Sequence, residues 1–146
     1  MIRILVSVAP IDLAEEMARI EGQNVGAVAS FCGLVRADDG VDCLELEHYP
    51  GATEAALDRI AREAAERWSL QAATIVHRVG PMRPGERIVL VLAAAPHRRD
   101  ALDACAYLID RLKTDAPFWK RETRGQDARW VEARDSDTAA AERWTS

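Results

Sequence analysis

No apolar run in this 146-residue chain is long enough to cross a membrane: the longest, residues 88–96, has nine residues where a spanning helix needs about 20. The opening stretch, MIRILVSVAPIDLAEE, has one arginine, a short apolar run and then acids. It lacks the longer apolar core and small-residue cleavage site of a secretion signal, so a cytoplasmic protein is expected. Cysteine is scarce. Cys32, Cys43 and Cys105 are an odd number with no C-x-x-C pair, which argues against a disulfide framework and a zinc site and predicts small buried hydrophobes. His48, His77 and His97 lie far apart in sequence and form no ligand pair, so no metal and no cofactor are expected. Positive charge is also short: 19 Lys and Arg against 24 Asp and Glu leave a net charge of −5, which disfavours general nucleic-acid binding. No linker, repeat or low-complexity segment interrupts the chain, which predicts one domain over 1–146.

What is present alternates between strand and helix periodicity. Residues 2–8 predict a first strand. Asp12 is placed to cap a helix carrying Leu13, Met17 and Ile20 on one stripe, ended by Gly22 and Asn24. Residues 25–35 are small and apolar and predict a buried strand. After the Asp38-Asp39-Gly40 turn, residues 43–49 alternate, with Leu44, Leu46 and His48 on one face and Glu45, Glu47 and Tyr49 on the other. Pro50-Gly51 ends that strand, and Thr53 is the expected cap of a helix with Leu57, Ile60, Ala64 and Trp68 in line. Residues 73–79 and 87–95 predict two strands joined by GPMRPGE as a hairpin-like connection. A third helix is expected from His97 to Lys113 with Ala101, Cys105, Leu108 and Leu112 inward, stopped by Pro117. Residues 120–124 and 129–133 predict a hairpin about Gly125, followed by a polar tail. Without strict βαβ alternation the class is α+β.

Chemistry concentrates in RLKTDAPFWKRE, residues 111–122. Five basic residues (Arg111, Lys113, Lys120, Arg121, Arg124) face two acids (Asp115, Glu122) between residues 111 and 124, which suggests a confined anion site in an acidic protein. Lys113 and Lys120 flank a Pro-Phe-Trp bend, where Phe118 and Trp119 could supply an apolar wall and Arg121 a neighbouring charge, conditions that make lysine a nucleophile or an acid/base. Solvation of a helix end is the open alternative. In APHRRD, His97 and Arg98 at a helix N-terminus would suit a phosphate, or His97 and Asp100 simply cap the helix. FCGLVR, residues 31–36, offers a glycine for close approach and Arg36 closing a strand. Glu45 and Glu47 are given no catalytic role.

Taken in order, FCGLVR, LELEHYPGATEAAL, VHRVGPMRPGE, APHRRDAL, LKTDAPFWKRE and RWVEARDSD resemble the catalytic large subunit of molybdopterin synthase, the MoaE family, over nearly the whole chain. The resemblance implies an α/β-hammerhead-type fold with an additional small antiparallel sheet. It implies a sulfurtransferase that takes sulfur from the C-terminal Gly-Gly thiocarboxylate of a small ubiquitin-like partner subunit and adds it to cyclic pyranopterin monophosphate, forming the dithiolene of molybdopterin. It further implies a homodimer that becomes a heterotetramer with that partner.

By position, Lys113 and Lys120 match the family's catalytic lysines. Lys113 would contact the thiocarboxylate, as a proton donor or through a transient adduct with the terminal glycine, and Lys120 would stabilise negative charge. Leu34, Val35, Arg36, His97, Arg98, Arg121 and Glu122 match substrate-binding positions. Some members carry a basic residue where this chain has Leu34, so Leu34 and Val35 are expected to offer backbone groups. Arg134 matches a position that reaches the pocket of a second copy. The competing readings are a non-catalytic module that binds a ubiquitin-like tail, and an unrelated phosphate-binding lyase. Retention of both lysines favours the synthase.

Overall fold

The computed structural model describes residues 1–37, 40–125, 127–131, 140–142 and 144. In chain order its elements are β1 (Ile2–Ser7), α1 (Leu13–Glu21), β2 (Ala27–Leu34), β3 (Cys43–His48), α2 (Ala52–Trp68), β4 (Ala72–Arg78), β5 (Gly80–Met82), β6 (Arg87–Ala95), α3 (Arg98–Asp115), β7 (Phe118–Arg124) and β8 (Asp127–Val131).

The first sheet has the order β1-β4-β6-β2, with β1 parallel to β4 and the other pairs antiparallel. Its central strands β4 and β6 are near-continuous apolar runs because both their faces are covered. Helices α2 and α3 pack against Ile75, Val89, Val91 and Ala93 on one face; Ile11 and Ile20, from α1 and its approach, meet Val76, Leu90 and Leu92 on the other. The cap expected of Asp12 is present, its carboxylate accepting the Glu15 N–H at 3.0 Å. Arg3 on β1 also holds α1, donating from Nε to the buried Glu16 at 2.7 Å.

The second sheet, β5-β3-β7-β8, is antiparallel throughout, so the fold is α+β with two sheets. The alternation read in residues 43–49 holds: Leu44 and Leu46 are buried. Its register decides where β7 sends its side chains. Phe118 and Lys120 lie opposite His48 and Leu46 on the inner face, whereas Trp119 and Arg121 lie opposite Glu47 and Glu45 on the outer one.

Five expectations need correction. The strand at residues 25–35 is not buried but forms the sheet edge, paired among the described residues with β6 alone, and leaves Phe31 and Leu34 exposed. Thr53 does not cap α2. Gly51 holds that position at φ 88°, a left-handed conformation suited to glycine, while the buried Thr53 hydroxyl accepts the Tyr49 N–H at 3.0 Å and donates to the Pro117 carbonyl at 2.9 Å. The GPMRPGE connection is not only a turn, since its first three residues pair with β3 as β5. The end of the chain is not simply a polar tail: Ala141 is buried, and Trp144 donates to Asp110 at 2.7 Å and packs edge-on against Trp68 and Tyr107. Of the cysteines only Cys105 is buried, its thiol pushed up to about 11 by desolvation; Cys32 and Cys43 are half-buried.

Candidate active site

Lys113 sits in the last turn of α3, immediately after Leu112, which is locked in the core. Ala116 takes an extended conformation ahead of Pro117 and ends the helix. The chain then enters β7, whose pleat turns Lys120 toward the inner face. The two lysines, seven residues apart in sequence, thus approach one point from a helix and from a strand. Both are half-buried, and both act electrostatically on the same side chain, His77.

His77 is the floor of this point. It follows Ala73 and Ile75 on the α2/α3 face of β4 and is buried. Its ring lies 3.9 Å from that of Phe118, nearly parallel. Its Nδ1 is 2.8 Å from the Arg78 carbonyl oxygen, and because a carbonyl only accepts, Nδ1 carries the hydrogen and Nε2 the lone pair. Burial, opposed by that hydrogen bond and reinforced by Lys113, Lys120 and His48, lowers its pKa to about 3, so the ring is neutral at physiological pH. His48 also faces inward, with Nε2 3.5 Å from the Glu54 carboxylate.

Much of the basic run is directed elsewhere. Arg111 pairs with Asp115 and Arg124 with Glu122, each at 2.9 Å, and Arg121 is exposed on the outer face. Glu122 shares the inner face with Lys120, opposite Leu44. Of the two expected wall residues, Phe118 serves and Trp119 does not: it is exposed on the outer side, edge-on to Tyr49 at 4.1 Å.

Residues 34–36 lie at the same end of the first sheet as His77. Leu34 sits opposite Arg87 after an irregularity at Gly33, and His77 opposite Val89. Val35 is buried, and both its backbone groups are engaged: its N–H donates to Glu86 and its carbonyl accepts from Gly85, at 2.9 and 2.8 Å. It therefore anchors the exposed Arg36 beside it.

His97 and Arg98 stand at the opposite end of α3. His97 is the N-cap residue in an extended conformation, and its side chain makes no cap hydrogen bond, so the simple capping alternative does not hold for it. Both are exposed beside the free N–H groups of the first turn, an arrangement suited to a phosphate. The approach is fixed from below: a Cβ on Gly26 would lie 2.2 Å from the Pro96 carbonyl oxygen. The rise of a helix puts fifteen residues, Arg98 to Lys113, about 22 Å apart. Arg134 lies outside the described residues. Among the described residues no group of three His, Cys, Asp or Glu is placed to hold a metal ion.

Residues 6–115 match the family model described as MoaE protein. The chain belongs to the MoaE family. A molybdopterin synthase catalytic subunit from Mesorhizobium japonicum is 54% identical over 140 residues, covering 92% of this chain and 88% of the relative. One of the same description from Pseudomonas aeruginosa is 51% identical over 97% of both chains. Among solved structures, a molybdopterin biosynthesis MoaE protein from Burkholderia ambifaria superposes with a TM-score of 0.86 at 48% identity, covering 99% of this chain and 98% of the other. A molybdopterin synthase from Staphylococcus aureus does so at 0.81 and 34% identity, covering 88% and 96%.

Sequence reasoning treated the three histidines as isolated and overlooked that His77 and His48 converge. The signal was available in strand alternation. Both sit at core-facing positions of their strands, in line with Ile75 and with Leu44 and Leu46. A polar ring at such a position must find partners, and those partners are what mark the site.

Proposed function

We propose that this chain is the catalytic subunit of a molybdopterin synthase and that Lys113 and Lys120 carry its sulfur transfer. The observation that carries this reading is their convergence on His77, in a chain about half identical to relatives described as that subunit. The sulfur donor is the C-terminal thiocarboxylate of a small ubiquitin-like subunit, and the acceptor is cyclic pyranopterin monophosphate. Both are anions. Two ammonium groups on a partly desolvated floor attract the thiocarboxylate and stabilise the charge that builds as sulfur attacks the pterin side chain. Lys113, fixed by the last turn of α3, contacts the thiocarboxylate, as a proton donor or through a transient adduct; Lys120 holds the developing charge. Neither role requires a metal or cofactor.

His97 and Arg98 bind the phosphate, but about 22 Å of helix separates them from Lys113 in one protomer. A single small pterin does not span that distance. In a homodimer, therefore, the phosphate pair of one copy serves the lysines of the other, and Arg134 of that copy joins it. Arg36, on its Val35 anchor, borders the lysine end together with Leu34, while Arg121 and Glu122 follow Lys120 in sequence on opposite faces of β7. With one small subunit on each protomer the assembly is a heterotetramer in the cytoplasm. No helix among the described residues is long and apolar enough to cross a membrane.

The test is reconstitution. Purified chain, thiocarboxylated partner and cyclic pyranopterin monophosphate together yield molybdopterin. Absence of product with a partner proven competent on another synthase overturns the function. Full activity in Lys113→Ala overturns the assignment of the lysines.

A further inference from the structure

We propose that His77 is a positioning residue for sulfur transfer: its neutral ring presents Nε2 as an acceptor to the lysine ammonium groups and keeps both cations at one point of the site. The inference rests on the reading of Lys113 and Lys120 as the reactive lysines.

Phenylalanine would fill the same space and stack on Phe118 without burying two ring nitrogens, each of which costs free energy unless it is hydrogen-bonded. The Arg78 carbonyl satisfies only Nδ1. That bond fixes the tautomer and the direction in which Nε2 points, just as a backbone carbonyl orients a functional histidine. The charged and titratable groups that act on the ring are Lys113 from α3, Lys120 from β7 and His48 from β3, and His48 is paired with Glu54 of α2. Two lysines brought to one place repel each other, and a third cation would push them apart. A neutral acceptor instead favours their charged form. Burial keeps His77 uncharged far below neutral pH, so it plays this part across the working range. The ring also packs on Phe118, two residues before Lys120, and so couples the floor to the strand that carries the second lysine.

Two variants of the full chain separate the acceptor from the packing, assayed in the reconstituted synthase with saturating partner. His77→Phe keeps the stacked ring and lacks Nε2; His77→Gln places an amide near the Nε2 position. In His77→Phe we expect the Tm to stay within a few degrees, KM for the pterin within about twofold and kcat to fall roughly 30-fold. Losing an acceptor disfavours the ammonium form, so the alkaline limb of the pH–rate profile moves about one unit lower. His77→Gln recovers several-fold in kcat and moves the limb back. Parental kcat and profile in His77→Phe overturn the proposal, as does an equal loss in both variants with the limb unmoved. If His77→Phe does not fold, His77→Asn replaces it, since it can still reach the Arg78 carbonyl but not the Nε2 position; activity equal to that of His77→Gln then overturns the idea. Lys113→Ala runs alongside. If it is fully active the lysine reading itself has failed, whereas an inactive Lys113→Ala beside a fully active His77→Phe sinks only the role of His77.

Discussion

The two ends of α3 carry charge in opposite ways. At the C-terminal end Lys113 follows a core leucine, is half-buried, and shares a floor with Lys120 and a neutral imidazole. At the N-terminal end His97 and Arg98 are exposed and stand beside unpaired helix N–H groups. The first end is shaped by the interior of its own protomer; the second is an open surface that becomes a site only against something else. In the proposed function, chemistry that needs a low dielectric and fixed geometry belongs to the first, and anchoring of a phosphate to the second. Activity measurements should therefore respond differently at the two ends.

The largest effect is expected at the lysine end. Lys113→Ala should lower the rate of molybdopterin formation about a thousandfold while pterin binding, read by calorimetry, stays within a few-fold. A loss confined to binding would place Lys113 with the anchoring residues and erase the contrast. Next is the core beneath it. Leu112→Ala should cost about 3 kcal/mol in urea unfolding, because it leaves a cavity under the turn that carries the lysine. A cost under 1 kcal/mol would mean that this turn is not fixed by the core.

The third expectation concerns pH. The folded pKa of His77, about 3, lies below the roughly 6.5 of an unfolded imidazole, so between those values the unfolded chain binds the extra proton. The stability gained by keeping the ring neutral is complete above pH 6.5 and is lost as pH falls, at up to about 1.4 kcal/mol per unit, or about 2 kcal/mol by pH 5. Urea unfolding of the parent and of His77→Phe at pH 7 and pH 5 isolates this slope, which the variant should lack. Parallel pH dependence in both proteins would assign it to another group.

The same contrast marks what is legible in the sequence. Alternation in Leu44, Leu46 and His48 and the helical stripe through Ala101, Cys105, Leu108 and Leu112 are local patterns, and the structure keeps both. The lysine segment was legible as a composition of charges, but not the sorting of those charges. That sorting depends on the pairing register of β7 with β3, which a one-residue slip would invert, sending Arg121 inward and Lys120 outward. Thr53 shows the same limit: its hydroxyl is used across 64 residues to hold Pro117, a partner no local signal names. The roughly 22 Å between Arg98 and Lys113 was implicit in helix length, yet the linear order of the motifs does not convey it.

The smallest effect expected, and the one that most sharpens the comparison, is at the open end. Arg98→Ala should raise KM for the pterin about tenfold with kcat within about twofold, since it removes a charge-assisted bond to a group remote from the reacting carbons. Its dependence on the second copy is then tested by mixing. If the phosphate pair of one protomer serves the lysines of the other, a dimer of one Lys113→Ala chain and one Arg98→Ala chain has one site with both defects and one with neither. Random re-association of equal amounts leaves about a quarter of all sites intact, and activity with parental KM reappears. If each protomer were self-contained, every site of the mixed dimer would carry one defect and no parental KM would return. That result would demand a path for the phosphate along about 22 Å of α3 within one chain, for which the helix offers no geometry.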